Sequence, residues 1–255
     1  MTAPPLLSIV TINLNNLAGL AKTVESVRAQ TPGICEWIVV DGGSTDGSLE
    51  LYERNHDLIA RLLVGKDSGI FDAQNKGLVE ATGEFVIFMN SGDSFQDGEV
   101  ARDFAAMERD FDLLYGDVVL ENNGRLIDRK YPDRITFRYW LRSFLCHQAV
   151  FYRREIFATH GGFSLKYRYA ADHEHHYRLW RDRGVRKRHW SRFVTRYDLA
   201  GVSNSPDHRV ATLKEFFGIR LREFPLPFKA VLLVKFGLAF VRNRFRYNAR
   251  FWEFT

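Results

Sequence analysis

Two rhythms of apolar and polar positions alternate along the first half of the chain. Residues 6–12 (LLSIVTI) are a short β-branched run that suits a strand, and 17–30 carry apolar residues at helical spacing. The pair then recurs. Residues 36–40 (EWIVV) predict a second strand and 48–56 a helix; 61–64 predict a third strand and 72–81 a helix, followed by the apolar run 84–89 (EFVIFM). Such alternation predicts an α/β unit with a mostly parallel sheet flanked by helices. Ligands of such sheets gather beyond the carboxyl ends of the strands.

Beyond residue 100 the rhythm loosens. The pattern predicts a helix over 100–110, a strand pair over 113–120 and 125–130 about the NNG turn at 122–124, strands over 144–152 and 194–199, and a helix over 172–183 between them. The end of the chain differs again. Pro225 and Pro227 precede an apolar run over 228–241 that Lys229 and Lys235 interrupt and Arg242, Arg244 and Arg246 follow. That run is too short and too charged to span a bilayer, so it predicts an amphipathic helix on an anionic membrane surface or one packed on the main domain.

Composition narrows the class. With 45% apolar and 26% charged residues the chain has enough to build a real core, which excludes wholesale disorder and collagen-like structure. The net charge of +5 is concentrated in 178–192 and 242–250, and suits phosphate-bearing partners. Cys35 and Cys146 have no zinc or redox spacing, which fits a reducing cytoplasm, and residues 1–7 do not read as a secretory signal.

Two polar stretches follow predicted strands. In DGGSTDGS at 41–48, glycines allow a sharp turn and close ligand approach, and a carboxylate at a strand end can accept hydrogen bonds from a nucleobase or ribose. The same residues also make ordinary turns, with Asp46 or Ser44 as a helix cap. In NSGD at 90–93, a carboxylate can hold a divalent cation that bridges a diphosphate, although a strand-end turn uses such residues too.

Together with TINLN at 11–15 and KDSGIFDAQNKG at 66–77, these motifs resemble, in order, the donor-binding half of glycosyltransferase family 2. The resemblance continues through CHQAVFYRR at 146–154, GGF at 161–163 and ADHE at 171–174. It implies a GT-A fold, a Rossmann-like sheet of nucleotide-diphospho-sugar transferases with a C-terminal helical extension. Residues 1–224 would form the catalytic domain, its donor half running to about 120 and its acceptor half over 121–224, with 225–255 as a basic appendage. It further implies that Asp41 contacts the base and that Asn13 and Asp67 line the nucleoside pocket. Thr11, Asn75, Asn90, Ser91 and Asp93 would complete the donor site, Asp93 holding Mn2+ or Mg2+. The family's Asp-x-Asp is reduced here to Asn90-Ser91-Gly92 before Asp93, and His147 or His208 is the candidate for the missing ligand.

On the acceptor side the resemblance implies Asp172 as general base, with Glu174 as competitor and His147 and Gln148 as neighbours. A carboxylate there takes the proton of an attacking hydroxyl. His173, His175 and His176 do not share one helical face, so no zinc site is expected among them, and the arginines of 178–188 suit a solvated or membrane-facing surface. The expected activity is inverting transfer of one sugar from a UDP- or GDP-sugar to a lipid-linked oligosaccharide, glycolipid or polysaccharide. The expected place is the inner face of the cell membrane, with no nucleic acid partner. A sugar-phosphate nucleotidyltransferase is the first alternative, weakened by the lack of a glycine-rich basic loop after the first strand. A non-catalytic basic binding protein is the second, motivated by the aromatic, basic tail.

Overall fold

A computed structural model of the chain describes residues 4–122, 124–199, 206–226 and 228–229. Its first half follows the predicted alternation: β1 (Leu7–Asn13), α1 (Leu17–Arg28), β2 (Cys35–Asp41), α2 (Ser48–Arg54), β3 (Ile59–Val64), α3 (Ile70–Glu80) and β4 (Phe85–Phe88). These strands pair in parallel in the order β3-β2-β1-β4. Every residue of β4 is buried, as the unbroken FVIF run requires of a strand covered on both faces, whereas β3 is largely exposed at the sheet edge. Helix α3 lies hard against the sheet because of Gly77. A Cβ there would stand 2.4 Å from Val10 Cγ1.

The second half consists of β5 (Ser94–Phe95), α4 (Val100–Ala105), β6 (Leu113–Asn122), β7 (Arg125–Arg129), α5 (Phe137–Trp140), β8 (Val150–Arg153), α6 (Glu155–His160), α7 (Ala171–Arg181), β9 (Lys187–Asp198) and α8 (Pro206–Glu223). It continues the same sheet in the order β4-β8-β6-β9-β5, with β7 beside β6. Strand β8 is antiparallel to both β4 and β6. This reversal turns the sheet from parallel to mixed. Aromatic contacts join the halves, Phe88 against Phe163 at 5.0 Å and Phe85 against Phe104 at 5.2 Å.

Several elements differ from the sequence reading. Where periodicity predicts one strand over 144–152, a 3-10 turn (His147–Ala149) precedes β8, because buried side chains of the turn are held by partners off the sheet. Helix α4 stops at Ala105 rather than 110, while β9 begins seven residues before the predicted strand at 194. The short β5, α5 and α6 and the longer α8 carry no pattern strong enough to predict. Among the described residues no helix is long and apolar enough to cross a membrane. The predicted amphipathic run over 228–241 lies outside the described residues, apart from Phe228 and Lys229.

Candidate active site

Chain ends of β1, β2 and β4 meet at one edge of the sheet, where Asn13 stands opposite Asp41 in register. Asp41 is engaged by its own loop. It is fully buried, and its carboxylate accepts from the Gly43 and Ser44 backbone N–H groups at 2.9 and 2.6 Å. Its other oxygen accepts from Asn13 Nδ2, Ser44 Oγ and Tyr52 OH, each at 2.9 Å. Burial pushes its pKa up, but the bonds from Ser44, Asn13 and Tyr52 outweigh it and hold the carboxyl below the usual range. Asp41 therefore shapes the 42–48 loop from beneath. Gly43, at φ 93°, makes the turn that the loop needs.

Thr11 is likewise turned into the sheet, where its hydroxyl accepts from the Trp37 indole at 2.9 Å. Asn75 holds both the N–H and the C=O of Phe163, at 2.9 and 2.8 Å, and so fastens the 161–163 turn to α3. Both side chains are thus engaged within the protein. Asp67 is better placed: it is half-buried, its carboxylate lies close over Gly42, and it lines a cavity of about 550 Å³ with Ser68, Asp72 and the 165–168 loop. Leu14 also lies over Gly42 and is 56% exposed, leaving an apolar platform beside Asp67.

The motif after β4 forms a second cluster. Asp93 is buried, accepting from Gln148 Nε2 at 2.9 Å and from the Asp198 backbone N–H at 3.0 Å. Burial raises its pKa to about 7 against those two bonds, and the nearby Asp198 carboxylate adds to the rise. Ser91 is tied by its carbonyl and hydroxyl to Asn16 Nδ2, at 3.0 and 3.3 Å, which also caps α1.

A chain of polar contacts runs from this cluster to the acceptor side. Gln74 Nε2 donates to Asn90 Oδ1 at 3.0 Å and stands 3.2 Å from His147 Nε2. Since the amide offers only N–H there, His147 Nε2 accepts, which assigns the proton to Nδ1, 3.1 Å from Asp172 Oδ2. Burial pushes Asp172 up, yet the hydrogen bond from His147 leads the interactions that hold it below the usual value. The pair thus contains an ionised carboxylate. Asp172 and Asp93 are brought together through consecutive residues, His147 and Gln148, whereas Asp41 stands apart beneath its own loop.

Helix α7 carries Asp172 into this pocket. Glu174 turns instead to Arg178, at 3.1 Å, one helical turn along. The loop entering α7 is held from α8, where Glu215 accepts the backbone N–H groups of Arg168, Tyr169 and Ala170 at 2.8, 2.8 and 3.0 Å. His173, His175 and His176 are all buried, and burial keeps them neutral, His176 at about 4. Sequence reasoning missed Gln74, Glu215 and Asp198. Gln74 lies within the KDSGIFDAQNKG motif, but nothing local marks the other two.

The expected cation fits these residues poorly. Asp93 is the one carboxylate of its motif and both its oxygens already accept N–H groups. His147 is engaged by Asp172 and Gln74, and His208 stacks on Tyr169 with its Nδ1 3.0 Å from the Tyr169 hydroxyl. Among the described residues no three His, Cys, Asp or Glu side chains gather as a metal-holding group.

Solved structures share this architecture. Residues 1–349 of TarS from S. aureus in complex with UDP-GlcNAc superpose with a TM-score of 0.65 at 19% identity, covering 89% of this chain and 69% of that fragment. A mannosyltransferase from Pyrobaculum calidifontis in complex with GDP-Man and Mn2+ gives 0.65 at 17%, covering 98% and 78%. The fold is that of a GT-A glycosyltransferase. A family model described as Glycosyl transferase family 2 matches residues 8–172, and the chain belongs to that family. A PGL/p-HBAD biosynthesis glycosyltransferase of Mycobacterium tuberculosis is 35% identical over 211 residues, 80% of this chain and 81% of its own. The protein is a glycosyltransferase.

Proposed function

We propose that the protein transfers a single sugar, with inversion, from a UDP- or GDP-sugar to a hydroxyl of a lipid-linked oligosaccharide, glycolipid or polysaccharide, with Asp172 as general base. The observation that carries this reading is the Asp172 carboxylate, 3.1 Å from His147 Nδ1 and linked through Gln74 to the motif at the end of β4. In the step, the acceptor hydroxyl gives its proton to Asp172 while its oxygen bonds the anomeric carbon. The bond from that carbon to the diphosphate breaks, and its electron pair leaves with the nucleoside diphosphate. Attack opposite the leaving group inverts the centre.

Asp67, Leu14 and the 42–48 loop that Asp41 shapes form the nucleoside end of the donor site in this proposal, with Asn90, Ser91 and Asp93 towards the diphosphate. The choice of UDP or GDP rests on the fold, since solved GT-A neighbours carry UDP-GlcNAc and GDP-Man. A lipid-carried acceptor is supported by the basic 242–250 stretch and by the PGL relative's name. Radiolabelled UDP- and GDP-sugars with a lipid-linked acceptor test the proposal. The expected product carries the anomer opposite to the donor's, and retained configuration contradicts it.

A further inference from the structure

Two arginines unused by this chemistry are turned inward without a carboxylate. Arg129 ends β7 and Arg220 lies in the last turn of α8, yet both reach Ser143. Arg129 Nη2 donates to Ser143 Oγ at 2.6 Å and to the Phe144 carbonyl at 3.0 Å, and Arg220 Nη2 stands 3.5 Å from the Ser143 carbonyl. Arg220 Nε is buried with no hydrogen-bond partner, and burial pulls its guanidinium down to about 10. Aromatic faces offset part of the cost: Arg129 lies 4.7 Å from the Phe144 ring and 5.4 Å from Tyr131, and Arg220 5.9 Å from Phe216.

Other poorly exposed arginines are treated differently by this fold. Arg153 and Arg192, each with 18% of the side chain exposed, both meet two carboxylates, Glu84 and Asp112 for the first, Asp97 and Asp103 for the second. Neither Arg129 nor Arg220 has a carboxylate at ion-pair distance among the described residues. A withdrawn cation without a counter-charge is costly, and here two such cations from separate elements point at one place. A tetrahedral phosphoryl group offers oxygens to both guanidinium groups at once.

We propose that Arg129 and Arg220 form a cradle for a phosphoryl group of a substrate. It adjoins the reacting end of the cleft, because residues 143 and 144 lead directly into the turn that carries His147 and Gln148. Phe216 touches both Phe144, at 5.6 Å, and His173, at 4.7 Å, next to Asp172. The inference deepens the transferase reading and rests on it for the choice of phosphate, since a nucleotide-sugar donor and a lipid-linked acceptor both carry phosphoryl groups.

The test is calorimetric titration of the full chain with inorganic pyrophosphate, beside Arg129→Gln, Arg220→Gln and the double variant. Each single change is expected to weaken binding about tenfold or more. Pyrophosphate should raise the melting temperature of the unaltered protein and not that of the double variant. Should the glutamine variants fail to fold, Arg129→Lys and Arg220→Lys, which keep the charge and lose the fork, carry the same titration. UDP, GDP and phosphatidic acid vesicles separate the sources: a parallel loss of nucleotide binding assigns the cradle to the donor, and a loss of vesicle binding alone assigns it to the acceptor. Unchanged pyrophosphate affinity in the variants overturns the cradle. That result leaves the transferase reading standing, because sugar transfer is measured separately.

Discussion

Burial alone would raise the pKa of Asp172, so its depressed value depends on the partner at Nδ1 of His147. Removing that partner raises the pKa, and activity that needs the carboxylate is lost as pH falls through the new, higher value. His147→Leu is therefore expected to move the acid limb of the pH–rate profile upwards and to lower kcat more than it changes KM. An unmoved acid limb would remove His147 from any positioning role. The same residue-level view separates what motifs disclose from what they hide. Asp41, Thr11 and Asn75 sit within motifs resembling the family's, yet hydrogen-bond partners distant in sequence turn them to shaping the loop, the sheet and the 161–163 turn. Asp67 and Asp172 remain at the cleft, one lining a cavity and the other facing His147.

Helix α7 buries three histidines, which makes the fold sensitive to acid. His173, His175 and His176 are buried with pKa values below 6.5 in the fold, so between pH 6.5 and about 4 the unfolded chain binds protons that the folded chain refuses. Stability therefore falls as pH drops through that window. Asp93, raised to about 7, opposes the trend by holding a proton in the fold that the unfolded chain has lost. The net slope is of the order of 2–3 kcal/mol per pH unit at its steepest, measurable from urea midpoints at pH 7.5, 6.5 and 5.5. Both ring nitrogens of His173 lack partners, so His173→Leu should flatten that slope and leave stability at pH 7.5 equal or higher. An equally steep slope in the variant would contradict this account. Glu215 links α8 to the entry of α7, and Glu215→Ala leaves three backbone N–H groups without their acceptor. It is expected to cost about 2 kcal/mol of unfolding free energy and to lower transfer, both recoverable in part with Gln.

At the scale of the whole molecule, the parallel half of the sheet was legible because its signals are local: β-branched runs, helical spacing and turn residues succeed one another within each βα unit. The rest depends on distant pairing. Strand β8 slots antiparallel between β4 and β6, and the two-residue β5 pairs with β9, neither of which leaves a local pattern. The basic stretch over 178–192 is also altered by folding. Arg178, Arg181, Arg186, Arg188 and Arg192 are paired with Glu174, Glu223, Asp112, Asp110 and Asp97, so the expected membrane-facing surface there is largely neutralised. The other basic cluster of the sequence lies over 242–250. A chain ending at Lys229, which keeps the Phe228–Phe137 contact at 4.2 Å, should lose sedimentation with anionic vesicles while soluble-acceptor transfer persists. Retained vesicle binding would move the membrane contact elsewhere. Transfer by this mechanism requires the Asp172 carboxylate as base. Single-turnover transfer by Asp172→Asn, measured beside its affinity for UDP and GDP, is expected to fall by about 100-fold or more with nucleotide binding unchanged; transfer at the unaltered rate would contradict it.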